Sequence, residues 1–346
     1  MSTSSSWLSS LLDLISRLFK PPSPPAPPAP PIPPDSGVLK PLQPRVLMIV
    51  YNPVVDTATG KKLIETMRWN DPEQLAAGYV ADLRECSDDR GHLGELVSYQ
   101  IVQRVEIDEL PVKADGFQYQ PQDYVNVART NGEAHDPDEV DYSVILAKFN
   151  LLQRVANNEV DEVWLFGGPY FGFYESTMAG KGAFFCNSSP VPNTAPCPRR
   201  FVIMGFNYER GIGEMEESLG HRAEFVLQQV FRYTPRQANL LERYLRYDQI
   251  ALGQANVGTI HYAPNSLDDY QWGDMTPVPS CCDDWYQFPN LPDPPNYRMV
   301  DAREWGDGDI RAHHKWWLKH LPKAGGVTNS IANNWWKYII DPNTVR

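Results

Sequence analysis

Ten of the fourteen residues from 21 to 34 are proline, in the run PPSPPAPPAPPIPP. Proline fixes φ and removes the amide donor, so this run can form neither helix nor sheet. It reads as a polyproline II spacer, semi-rigid, rising about 3.1 Å per residue and so about 40 Å long. The spacer separates a short leading segment from everything that can fold. Residues 1–20 therefore stand apart, 21–44 form a proline-rich linker, and the globular chain begins near residue 45. The length of 346 residues allows one large domain or two. Hydrophobic residues make up 42%, enough for a core.

The segment 1–20, MSTSSSWLSSLLDLISRLFK, places Trp7, Leu8, Leu11, Leu12, Ile15, Leu18 and Phe19 on one helical face. Its start has no Lys or Arg, and Asp13 and Arg17 interrupt the apolar part, which makes a poor signal peptide. A short amphipathic helix of this kind suits a membrane surface or a protein groove. On a stiff spacer it is expected to act as a tether. No stretch approaches the 18 apolar residues of a spanning helix. The formal net charge of -12 argues against a nucleic-acid partner, which needs a basic surface.

From residue 45 to 252 the patterns alternate. RVLMIVYNPV (45–54) reads as a buried strand and PEQLAAGYVADLREC (72–86) as a helix. VSYQIVQRVEIDEL (97–110) reads as a strand and DYSVILAKFNLLQRVANN (141–158) as one helix capped by Asp141. VDEVWLFG (160–167) and RRFVIMGFN (199–207) read as strands, and 213–232 as the longest helix. This order predicts an α/β fold, a layered and largely parallel sheet flanked by helices. Residues 253–346 have little periodicity but hold seven of the ten Trp residues. They are expected to be an irregular Trp/Pro-rich extension of the same globular unit, packed on the core.

Five cysteines make no CxxC pair. Cys186 and Cys197 flank an irregular loop that a disulfide would close, and one of Cys281 and Cys282 could pair with Cys86. Both pairings would suit an oxidising compartment.

The helix 213–232 carries the main chemical signal. At 100° per residue, Glu217, His221 and Glu224 share one face, and Met215, Leu219, Ala223, Val226 and Val230 share the opposite one. Glu and His at i and i+4 can chelate one metal ion, and Glu224 can serve as a further ligand or a base. The plain alternative is a solvated helix face with favourable ion pairs. If the extension covers this face, His261 in GTIHYAPN is the third ligand expected. Glu175, among aromatics in GGPYFGFYESTMAG, is expected to act as a general acid or base. Gly211-Ile212-Gly213 lacks the third glycine of a dinucleotide loop, and three glutamates in the first helical turn repel an anion.

The runs VDEVWLFGGPYFGFYESTMAG and NYERGIGEMEESLGHRAE resemble segments of uncharacterised secreted microbial α/β proteins, over roughly residues 45 to 340. The resemblance implies an extracytoplasmic or cell-surface location and no particular reaction. The leading expectation is an extracytoplasmic metal-dependent hydrolase holding zinc, iron or manganese on Glu217, His221 and His261. Glu224 or Glu175 is its acid or base, and a glycan or peptide its substrate. The alternative is a non-catalytic surface or assembly protein. It would bind a glycan or protein through its aromatic C-terminal region, with Trp316-Trp317 and Trp335-Trp336 as platforms.

Overall fold

The computed structural model describes residues 39–88, 94–130 and 132–346. The expected tether helix and most of the linker lie outside the described residues.

The strand Arg45–Tyr51 is apolar on both faces and sits inside a five-stranded sheet. The spatial order is Gln100–Ile107, Arg45–Tyr51, Glu162–Gly167, Phe201–Asn207, Ser176–Ala179. The first four run parallel, and Ser176–Ala179 pairs antiparallel with Phe201–Asn207. Helices flank the sheet, so the fold is the layered α/β arrangement. Parallel strands buried on both faces read as continuous apolar runs, and LMIV and VWLF are such runs.

Helix ends follow local chemistry. Asp71 accepts from Glu73 N at 2.9 Å ahead of Pro72 at the first turn of Pro72–Ser87. Asp141 accepts from Ser143 N at 2.8 Å. The single helix expected over 141–158 is two, Tyr142–Lys148 and Leu151–Ala156. Asn150 between them adopts a left-handed φ of 49°, a conformation asparagine tolerates well.

The longest helix, Ile212–Phe231, follows directly on the strand Phe201–Asn207. Its rotation is set by Arg222, fully buried, whose Nη1 lies 2.8 Å from Glu162 Oε2 on the central strand. Trp164 Nε1 donates to the same carboxylate at 2.9 Å, and Arg222 Nη2 donates to Ile340 O. Removing either charge would strand the other in the core, a loss of about 3–5 kcal/mol. With Arg222 turned to the sheet, the adjacent His221 points to the flank.

The extension is ordered around its tryptophans. All seven rings are buried, so Trp316, Trp317, Trp335 and Trp336 are core and not exposed platforms. It also holds a helix the sequence pattern did not announce, Ile310–His320, capped by Asp309 and packed on Pro72–Ser87 and Ile212–Phe231.

The disulfide expectation fails. All five cysteines are free and buried. The loop between Cys186 and Cys197 is closed instead by hydrogen bonds: Ser176 Oγ donates to Cys186 O, and Lys181 N to Cys197 O at 2.8 Å. Cys86 Sγ contacts Lys315 O at 3.6 Å, while Cys281 Sγ contacts Asn256 Oδ1 at 3.2 Å. Among the described residues, no helix is long and apolar enough to cross a membrane.

Candidate metal centre

The face of Ile212–Phe231 that carries Glu217, His221 and Glu224 is covered. Glu217 and Glu224 are buried, and His221 is only slightly exposed. The cover is the segment from Gly258 to Trp272. It reaches the helix because residue 220 is glycine, and a Cβ there would collide with the Ile260 side chain. Ile260 N donates to Glu224 Oε1 at 2.9 Å. The next residue, His261, then lies over Glu217.

The tryptophans hold this segment from behind. Trp317 Nε1 donates to Gly258 O at 2.9 Å and Trp272 Nε1 to His261 O at 3.0 Å. Trp285 Nε1 donates to Asn256 Oδ1 at 3.1 Å, and Trp305 Nε1 to Trp272 O at 2.8 Å. A loop without periodicity is thus fixed by buried indole N–H groups, which need acceptors once out of water.

Two imidazoles converge on one carboxylate. His261 Nε2 lies 3.0 Å and His221 Nε2 3.8 Å from Glu217 Oε1. The other ring nitrogens face carboxylates as well: His261 Nδ1 lies 2.9 Å from Asp269 Oδ1, and His221 Nδ1 3.6 Å from Glu224 Oε2. The rings meet edge to face at 4.5 Å between centroids. Tyr270 OH donates to Glu217 Oε1 at 2.7 Å from a partly exposed position. The ligand atoms of Glu217, His221 and His261 all lie within 4.8 Å of one another, so these three residues could hold a metal ion.

The electrostatics follow from this crowding. Burial pushes the Glu217 carboxyl up, but the two imidazoles outweigh it and hold the group well below the usual carboxylate range. Burial works against a charged His221, yet Glu217, Glu224 and the nearby Glu175 raise it well above the ordinary imidazole value. His261 is raised by Asp269 and Glu217 against burial. Burial and then the Glu217 charge keep Tyr270 protonated.

All five expected site residues can be placed. Glu217, His221, His261 and Glu224 come together in one cluster. Glu175 is half-buried, accepts from Asn187 Nδ2 at 2.6 Å, and acts on His221 and Tyr270 through its charge. Of the remaining extension histidines, His314 Nδ1 donates to Gly213 O at 2.9 Å, and the group is pushed down to about 4 by burial. His313 stacks on Trp272. Asp269 and Tyr270 are the members that sequence reasoning missed. Their only signal is an acidic-aromatic triplet, Asp268-Asp269-Tyr270, in an irregular stretch. At the helix start, Glu214 Oε2 accepts from Gly211 N at 3.0 Å, so a carboxylate occupies the position an anion would take.

No protein-family model matches the chain, and neither a curated protein nor a solved structure is similar to it.

Proposed function

We propose that the protein is a metal-dependent hydrolase with its divalent ion on Glu217, His221 and His261. One observation carries this reading: both Nε2 atoms turn toward Glu217 Oε1 while both Nδ1 atoms turn toward carboxylates. A metal-bound histidine typically gives its other nitrogen to a carboxylate or carbonyl, which fixes the ring and raises its basicity. A solvated helix face has no reason to repeat that pattern on two separate segments. Two histidines and a glutamate form a catalytic zinc donor set that leaves a coordination position open.

A divalent ion there would polarise a substrate carbonyl and lower the pKa of water. The chain's own groups divide the other tasks. Glu224 is committed to Ile260 N and to His221, so it orients the ligand. Asp269 does the same for His261. Glu175 is half-buried, acts on His221 and Tyr270 through its charge, and is assigned proton transfer. Tyr270 OH donates to Glu217 Oε1 and so helps orient that ligand. A glycan or peptide is the substrate class proposed. The extracytoplasmic location rests on the resemblance alone, since the disulfides that would have supported it are absent.

The test is elemental analysis of the chain purified without a metal-affinity tag, beside Glu217→Ala and His221→Ala. A zinc, iron or manganese content that falls by about one ion per chain in both variants supports the reading. Full metal content at this site in His221→Ala overturns it. With the metal identified, Glu175→Gln is expected to keep the ion and lose about 10²–10⁴-fold in turnover on peptide or glycan substrates.

A further inference from the structure

We propose a second divalent-cation site, formed by Cys282, Asp283 and His320. It is independent of the first centre and shares no residue with it. The ligand atoms of the three residues lie within 4.8 Å of one another. Cys282 Sγ is 3.8 Å from Asp283 Oδ1, close to the edge that bonds of about 2.0–2.3 Å span in a tetrahedral site.

Each ligand is oriented by something behind it. His320 Nδ1 lies 2.7 Å from Trp316 O, a carbonyl that can only accept, so Nδ1 carries the proton and Nε2 presents its lone pair. Tyr286 covers the imidazole with ring centroids 4.3 Å apart. Arg298 Nε and Nη2 donate to Asp283 at 2.5 and 3.0 Å. Cys282 and His320 are buried and Asp283 half-buried. The neighbouring Cys281 turns away to Asn256 and Ala255, which leaves one thiol for the site.

The charges favour a dication. Arg298 also donates to Glu304 at 2.7 and 2.8 Å, and its Nη2 lies 4.0 Å from Cys282 Sγ. One guanidinium thus stands against two carboxylates, and against a thiolate as well once the metal–sulfur bond forms and the thiol proton leaves to solvent. That sum is two negative charges. A divalent ion of the thiolate- and imidazole-binding kind, zinc above all, brings the cluster to neutrality. Its place in the fold gives it a purpose. It would pin the turn Cys282–Gln287 to the end of Ile310–His320, the helix whose first turn packs on Gly213 at the start of the site helix.

Cobalt(II) titration of the metal-free full chain tests this, because sulfur ligation gives a near-ultraviolet thiolate-to-cobalt charge-transfer band and the first centre contains no sulfur. The expected result is about two cobalt ions per chain, with the band lost in Cys282→Ser and in His320→Gln. The band should be retained in Cys281→Ser and in Glu217→Gln, the latter keeping one ion. A band that survives in Cys282→Ser, or no band while a first ion binds, overturns the second site. A parent chain that shows the band but binds a single ion, with the count unchanged in Glu217→Gln, overturns only the hydrolase reading. If Cys282→Ser fails to fold, His320→Gln and Asp283→Asn give the same readout.

Discussion

Replacing Gly220 with alanine sets two physical effects against each other. Alanine in a helix interior is favoured over glycine by about 1 kcal/mol, so helix propensity alone predicts a more stable protein. The packing predicts the reverse. The new methyl group would fall on Cγ1, Cδ1 and Cβ of Ile260. Overpacking of that kind costs about 1–3 kcal/mol. Moving Ile260 away also breaks its amide bond to the buried Glu224 carboxylate, worth about 1.5–3 kcal/mol for a charged acceptor. The net expectation is a loss of about 2–5 kcal/mol. Urea unfolding of the metal-free chain, followed by the buried tryptophans, measures it. His261 rides on the displaced segment, so metal affinity should fall at least about tenfold in the same variant.

A rescue separates this account from general damage. Ile260→Ala alone is expected to lose about 2–5 kcal/mol as a core truncation. Combined with Gly220→Ala it should lose clearly less than the sum, with a coupling of about 0.5–3 kcal/mol, because the alanine then has room. A Gly220→Ala protein as stable as the parent, with unchanged metal affinity, would refute the idea that this glycine admits the His261 segment.

Three further outcomes follow from the same geometry. Asp269→Asn and Glu224→Gln should each weaken metal binding about 10–100-fold while leaving the ligands in place, as read by competition with a chromophoric chelator. Trp272→Phe removes the donor to His261 O, and amide exchange over residues 259–263 should speed up while the central sheet stays protected. In the metal-free protein, Glu217 is held below its ordinary range, so its contribution is present above about pH 4.3 and lost as pH falls through the folded value. His221 and His261 are raised, so theirs is complete below about pH 6.5 and lost as pH rises through their folded values. The network therefore stabilises most between those limits, and unfolding midpoints of His221→Gln should differ most from the parent there. With metal bound the sign reverses above that window, since the ion requires neutral imidazoles and gains affinity as pH rises.

The parts legible in the sequence are those that periodicity encodes. Continuous apolar runs marked the inner parallel strands, and a 3.6-residue stripe put Glu217, His221 and Glu224 on one face of one helix. Periodicity describes an element's faces but not what lies against them. The cover comes from residues 258–272, whose conformation is set by indole N–H bonds from Trp272 and Trp317 and by the Thr259 hydroxyl, which accepts from His261 N and Tyr262 N. No local pattern announces such bonds, so Asp269 and Tyr270 were invisible. The four-residue strand Ser176–Ala179 was invisible too, because a run that short is recognisable only once Phe201–Asn207 lies beside it. Yet one local signal did point beyond the helix. Gly220 sits in mid-helix beside the polar stripe, where it weakens the helix and gains nothing unless a neighbour must come close. A glycine flanking His221 is what a covered face needs and what a solvated face would discard. The stripe alone left the solvated-face reading open, and the Ile260 contact supplies the physical reason why this face is covered.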